Sequence, residues 1–429
     1  MTTVSDTQSL KMLLRKCVHC GLCLPTCPTY DVLGDERDSP RGRLFQMKAL
    51  MDGVVPADDP SLNRHLSRCL DCRACETACP SGVRYGQILE ETRAALPPST
   101  AATAGRTIVL GGVFGHPGRL AAAGMALRAY QRTGAGRVFR RIGGFSLLPP
   151  RFGALEAMLP PFQGPVARKP LPVLTAARGT RRAKVGLLTG CVMGQFFAGT
   201  NAATTRVLAA NGCEVVTPRG QGCCGALHAH AGAREQARAR ARALIDCFDS
   251  SLDAIITNAA GCGSMLKEYG HLLRDDPAYA ERAQAFASRV KDIGEFLAEL
   301  PLRPPDGRVD ARVTYQDACH LRHAQRVWRQ PRAVLAAIPG LDLVELEGSA
   351  DCCGSAGIYN VTQFDISMRL LDQKMDRIAA TGARIVAVGN PGCAIQIKYG
   401  ARSRGLRIEV AHPVDLLDRA YRGERSGTH

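Results

Sequence analysis

The sequence predicts an α + α/β protein, with an all-helical N-terminal module followed by a duplicated α/β domain pair. Three observations carry this. Two short cysteine runs lie near the start, at residues 17–30 and 69–83, and the insert between them has helical spacing of Leu, Phe and Met. Beyond residue 184, short β-branched runs alternate with helical stretches, as in βα units around a parallel sheet. That pattern occurs twice: Cys191, Cys223-Cys224 and Cys262 return as Cys319, Cys352-Cys353 and Cys393, at offsets of 128, 129 and 131 residues. A period of this length indicates a duplicated domain rather than a short-repeat solenoid.

Each N-terminal run, CVHCGLCLPTCP and CLDCRACETACP, reads C-x2-C-x2-C-x3-C-P. This is the run that ligates cubane [4Fe–4S] clusters in bacterial two-cluster ferredoxins, where the fourth cysteine of a run serves the other cluster. Carried over, that arrangement assigns Cys17, Cys20, Cys23 and Cys79 to one cluster and Cys27, Cys69, Cys72 and Cys75 to the second. Two structural zinc sites are the rival reading, but zinc does not call for a third cysteine two residues on, nor for the trailing Pro28 and Pro80. These prolines are expected to end their local turns. Forty-one residues separate Cys27 from Cys69, too many for the compact β-rich ferredoxin. Residues 1–95 therefore read as a helical ferredoxin module, with Ser39-Pro40 as a helix start.

Residues 96–183 form a basic linker region rich in Pro, Gly and Arg. From 97 to 183 there are thirteen Lys or Arg and one acid, Glu156, which accounts for most of the net charge of +16. Residues 119–142 suit a helix with an apolar and an Arg-rich side, interrupted at Gly134 and Gly136. A solvated linker face, a docking surface for a partner subunit and contact with anionic lipid all fit this charge. Nucleic acid does not, because aromatic residues are sparse and no reading motif accompanies the charge. The N-terminus has no signal-peptide pattern, the apolar stretch at 108–115 is too short to span a bilayer, and cluster thiolates need reducing surroundings. The expectation is a cytoplasmic protein, with peripheral contact at the inner face of the cell membrane as one reading of the basic segment.

The duplicated halves are residues 184–305 and 306–429. Each cysteine of a half falls after a strand, where open α/β sheets bind ligands, so the four should converge on one sheet edge. Cluster binding, zinc, redox thiols and buried packing all remain open for Cys191, Cys223, Cys224 and Cys262 and for Cys319, Cys352, Cys353 and Cys393. Gly225 and Gly354 after the pairs permit close backbone approach. Cys213 and Cys247 lie outside the repeat and read as packing. His228, His230, His320 and His323 lie near these cysteines and read as supporting hydrogen-bond partners rather than ligands. No G-x-G-x-x-G follows a strand and no phosphate-binding loop is present, so no catalytic residue for substrate oxidation is assigned.

The half-repeats resemble the cysteine-rich CCG domain of heterodisulfide reductase subunits, which implies a cluster or metal in each half. They depart from its final CxxC, having Ala259 and Asn390 at the first cysteine position. Over nearly the whole chain the sequence resembles the iron–sulfur subunits of bacterial glycolate oxidase. The strings PTYDVLGDERDSPRGR, GCCGALHAH, GCGSMLKEYG and CCGSAGIYN carry the resemblance. It implies an oxidoreductase subunit that takes electrons from an FAD-binding partner oxidising glycolate. Two [4Fe–4S] clusters would pass them toward a quinone or other membrane acceptor. Iron–sulfur subunits of lactate-utilisation and glycerol-3-phosphate dehydrogenase systems are expected to share the same domain order. A CCG protein that is itself catalytic, as in heterodisulfide reductases, is the alternative from another class, and a zinc module is a third.

Overall fold

A computed structural model describes residues 10–97, 111–112, 116–160 and 170–423. Part of the apolar stretch at 108–115 and the extreme N-terminus lie outside the described residues. The N-terminal module is helical. Helices Pro40–Met51, Pro60–Ser67 and Tyr85–Ala95 surround a core of Leu44, Met47, Leu62, Leu66, Ile88 and Leu89, while helix Pro28–Leu33 packs its Val32 with Leu70, Tyr359 and Leu370. Ser39 starts its helix as the sequence suggests, its hydroxyl accepting the Gly42 N–H at 3.0 Å. Pro28 differs from expectation. It opens the helix Pro28–Leu33 at a position where its missing N–H costs nothing, so it directs the chain into a helix rather than ending a turn.

The first half forms a five-stranded sheet from β1 (Leu174–Thr175), β2 (Ala183–Leu187), β3 (Cys213–Val216), β4 (Ala254–Thr257) and β5 (Val290–Asp292), in the order β1-β3-β2-β4-β5. The second half has β6 (Ala311–Gln316), β7 (Leu341–Val344), β8 (Ile385–Val388) and β9 (Glu409–Ala411), in the order β7-β6-β8-β9. Among the described strands only the short β1 is antiparallel; removing it leaves two sheets with the same parallel topology. The strands β4 and β8 are buried at every residue, which explains their unbroken apolar runs AIIT and IVAV.

One apolar core runs through both halves and includes Val185, Leu187, Val207, Val313, Leu335 and Leu416. Helix Ala198–Ala210 packs on Pro413–Tyr421, and helix Ile293–Glu299 packs on Arg329–Ala336. These are the same two elements of the repeat exchanged between halves, as in a two-fold dimer. Arg206 clamps Asp418 through two bonds of 2.9 and 2.7 Å across that interface.

The linker crosses the same assembly. Helix Pro117–Thr133 packs on the segment Cys191–Phe196, with Arg128 donating to the Gln195 carbonyl at 3.1 Å. Gly134 (φ 69°) breaks the helix as expected, but Gly136 does not. It lies inside helix Ala135–Arg141, where a Cβ would stand 2.4 Å from the Tyr130 hydroxyl. Its role is close packing.

Candidate functional site

In both N-terminal runs the residues between cysteines take left-handed backbone at matched positions: His19 and Gly21 in the first, Asp71 and Arg73 in the second. Three of the four are not glycine, a costly choice that the surrounding structure must hold in place. The result is that Cys17, Cys20, Cys23 and Cys79 line one cavity of about 420 Å³. Cys27, Cys69, Cys72 and Cys75 line another of about 310 Å³. Pro40, Cys75 and Tyr85 border both, so the two cavities share a wall. With Cys75 on the shared wall, each cavity offers at least the four sulfur donors that a cubane cluster needs, in largely apolar surroundings. Burial first, then Cys319, pushes the Cys72 thiol well up, and burial and then Cys72 do the same to Cys75. Bound metal would supply the stabilisation that these thiolates otherwise lack.

Supporting polar contacts are dense. The Asp71 N–H points at the Cys69 sulfur at 3.4 Å, the Tyr85 hydroxyl at the same sulfur at 3.6 Å, and Thr29 lies 3.3 Å from Cys27 Sγ. Behind the second cavity Arg43 is fully buried. It donates to Asp38 (3.0 Å), Thr29 (3.0 Å) and the His65 carbonyl (2.8 Å). These contacts explain two residues of the DERDSPRGR string that spacing alone left without a role.

In each half the repeated cysteines converge at the carboxyl ends of the strands. Cys191 touches Cys223, Cys223 touches Cys224, and Cys224 touches Cys262. Cys319, Cys352, Cys353 and Cys393 form the same chain of contacts. Each set favours one thiolate. Hydrogen bonds from Cys191 and Cys224 hold Cys223 well below the usual thiol range, with a further one from His228; Cys352 and Cys393 do this for Cys353. Cys213 is buried on β3 in the core shared by the two halves, and Cys247 packs against a second apolar cluster of the first half; neither joins the contacts among the repeated cysteines.

The glycines after the pairs are both left-handed but not equally crowded. A Cβ on Gly225 (φ +85°) would meet the Ala237 carbonyl at 3.2 Å, and one on Gly354 (φ +86°) would meet the Ser367 carbonyl at 2.4 Å. Gly225→Ala should therefore cost about 1–3 kcal/mol for its backbone alone. Gly354→Ala should cost visibly more, because a helix carbonyl must also move. Thermal unfolding of the two variants checks the order, and equal losses would contradict it.

The helical module straddles the two halves. Helix Pro28–Leu33 lies on Phe364–Ala380, and helix Tyr85–Ala95 lies on the first half near His230. A cavity of about 590 Å³ carries Cys27 and Cys72 of the module together with Cys352 of the second half. Beside it is a buried charge cluster. His230 Nδ1 lies 2.7 Å from Glu90 and 3.0 Å from Asp71, Arg73 bridges to Glu90 at 3.2 Å, and His320 Nε2 donates to the Asp71 carbonyl at 2.8 Å. Burial opposes the His230 charge, but Asp71 and Glu90 carry its pKa up to about 10. Burial, followed by the His230 and Arg73 charges, pushes His320 down to about 4, so it is neutral. His323 contacts Thr77 at 2.9 Å. The four histidines thus serve as hydrogen-bond partners, and three of them, His230, His320 and His323, tie the module to the two halves. Asp71, Arg73 and Glu90 were not singled out by sequence; the charges inside CLDCRAC were the available signal.

The comparisons with known proteins fit this architecture. Residues 13–83 match the family of 4Fe-4S dicluster domains, and 185–267 and 313–398 match the cysteine-rich domain. Residues 101–159 match the linker region of the glycolate oxidase iron-sulfur subunit. The chain is 41% identical over 414 residues to the probable glycolate oxidase iron-sulfur subunit of Bacillus subtilis, covering 94% of this chain and 93% of that one. The chain belongs to the glycolate oxidase iron–sulfur subunit family. The Escherichia coli glycolate oxidase iron-sulfur subunit is 35% identical, over 96% of this chain and 95% of that one. The basic linker is thus a family feature, although its sequence suggested no motif. Lactate utilization protein A of Bacillus licheniformis is 30% identical, but the match covers 55% of this chain and 99% of that protein. The shared domain order expected for lactate-utilisation proteins therefore does not extend to that relative, which is too short to carry it. As a member of this family with a helical dicluster module, the chain is an iron–sulfur electron-transfer subunit of an oxidoreductase. No described helix is long and apolar enough to cross a membrane.

Proposed function

We propose that this chain carries electrons from an FAD-binding partner that oxidises glycolate at C2 to glyoxylate, and delivers them toward a quinone-type acceptor. The observation that carries the reading is the division of eight cysteines between two adjoining cavities, the second continuing to Cys352. Cys17, Cys20, Cys23 and Cys79 would hold one [4Fe–4S] cluster, and Cys27, Cys69, Cys72 and Cys75 the other. When bound, such clusters supply one-electron carriers whose potentials follow hydrogen bonding and solvent exposure. The chain's own residues set those conditions. The first cavity reaches the surface at Cys20 and is lined by the exposed Val18 and Leu22, with the exposed Phe45 beside it, its ring 6.5 Å from that of His19, a face suited to a flavoprotein partner. Arg43, Tyr85 and Thr29 hold the second site buried and polarised.

The sets Cys191/Cys223/Cys224/Cys262 and Cys319/Cys352/Cys353/Cys393 are proposed to hold further clusters or metal. Asn390, standing where the longer CCG pattern has cysteine, joins them. Its Nδ2 donates to Cys393 Sγ at 3.5 Å and its Oδ1 accepts from Gly261 N–H, next to Cys262, at 3.3 Å. Asn390→Ala removes an N–H···S bond worth ~1 kcal/mol, so the potential of the second-half centre should fall by about 40 mV. A redox titration followed by paramagnetic resonance reads the shift; an unchanged potential would remove Asn390 from this role.

The substrate is tested on the complex co-purified with its flavoprotein, by dye reduction with glycolate, D-lactate and glycerol-3-phosphate. Glycolate is expected to be the best donor. Failure with glycolate and turnover with either alternative would overturn the reading.

A further inference from the structure

We propose that the linker presents a basic, apolar face that docks the protein on an anionic lipid surface. Its inner side is anchored to the first half by Arg128, which donates to the Gln195 carbonyl, and to the second half by Asn360 and Arg402, which donate to Met158 Sδ and the Ala157 carbonyl of the linker. Its exposed residues combine apolar and cationic side chains. Met125, Val138, Ile142, Leu147, Leu148 and Phe152 are large exposed apolar side chains, all within residues 125–152. Leu147 is 87% exposed and Ile142 is 72% exposed, so they project with almost no neighbour. Exposed Arg137, Arg141 and Arg151 alternate with them along the same segment, and Arg151 stacks its guanidinium 5.3 Å from the Phe152 ring.

Little of this charge is offset by acids of the linker itself. The only acid from 97 to 183 is Glu156, and it is already engaged by Arg140 and by the Tyr130 hydroxyl at 3.0 Å. An arginine-rich surface with projecting aliphatic tips matches the headgroup boundary of an anionic membrane, where arginines meet phosphates and the tips enter the acyl region. A protein partner would need to supply a matching set of carboxylates and pockets for several isolated side chains. Lipid accepts both without a preformed shape. The inner side of the same helix lies against the segment that begins with Cys191, so docking would bring the first cysteine set close to the membrane.

Flotation of the full-length holo-protein with vesicles tests this. Co-flotation is expected with phosphatidylcholine–phosphatidylglycerol vesicles, falling as salt rises, and not with phosphatidylcholine alone. Arg137→Gln with Arg141→Gln should weaken partition roughly fivefold per arginine. Ile142→Asp and, separately, Leu147→Asp should each weaken it at unchanged iron content. Absence of flotation, equal flotation with both vesicle types, or binding that survives both kinds of variant would overturn the proposal. So would protection of residues 125–152 from hydrogen exchange by the flavoprotein but not by anionic vesicles, which would make this face a protein contact.

Discussion

Cys79→Ala is expected to damage the same cluster as Cys20→Ala, and Cys27→Ala the same cluster as Cys72→Ala. Each pair should lose about four irons per chain and leave the same residual paramagnetic signal within the pair. The reason is geometric. Cys79 lines the cavity of Cys17, Cys20 and Cys23, although it closes the second run, and Cys27 lines that of Cys69, Cys72 and Cys75. The opposite grouping, with Cys27→Ala matching Cys20→Ala, would show that each run folds around its own cluster.

The second large effect concerns Arg43. Its side chain and that of Asp38 are 1% and 0% exposed, and they bond at 3.0 Å. Arg43→Met leaves the Asp38 carboxylate buried with Arg68, itself 28% exposed, as its remaining arginine at 2.8 Å. Removing one partner of a buried pair costs about 3–5 kcal/mol. Arg43 also borders the second cavity and donates to Thr29, which touches Cys27. Denaturant unfolding of the holo-protein should therefore show a large loss of stability, accompanied by preferential loss of the second cluster. Wild-type stability with full iron content would contradict this. Gly42→Ala offers a local comparison, since its Cβ would stand 2.0 Å from the Glu36 carbonyl and disturb the same segment without touching the charge.

What the sequence made legible was what depends on short spacing. The cysteine runs and the alternation of strands and helices are local patterns, the repeat shows as the same short pattern met twice, and each maps onto an element. What it hid depends on contacts between distant segments. Nothing near Asp71 announces that its carbonyl will meet His320, 249 residues away, or that Glu90 will hold His230. The docking of the helical module on both halves rests on that cluster and on Arg369, which reaches the Val32 carbonyl at 2.6 Å. Gly136 misled because glycine marks both helix breaks and close packing; only the Tyr130 hydroxyl above it distinguishes the two. Asn390 was legible as a departure from a cysteine pattern, but its hydrogen bond to Gly261 across the two halves needed the folded chain.

The most direct test of the electron-transfer account is anaerobic mixing of glycolate with the complex of this chain and its flavoprotein, followed by freeze-quench paramagnetic resonance. Reduced [4Fe–4S] signals should rise on glycolate addition. They should stay absent when this chain is mixed with glycolate alone, and Cys20→Ala and Cys72→Ala should each remove a different part of them. Reduction of the isolated chain by glycolate, or a complex that oxidises glycolate while its iron–sulfur signals stay unchanged, would contradict the account.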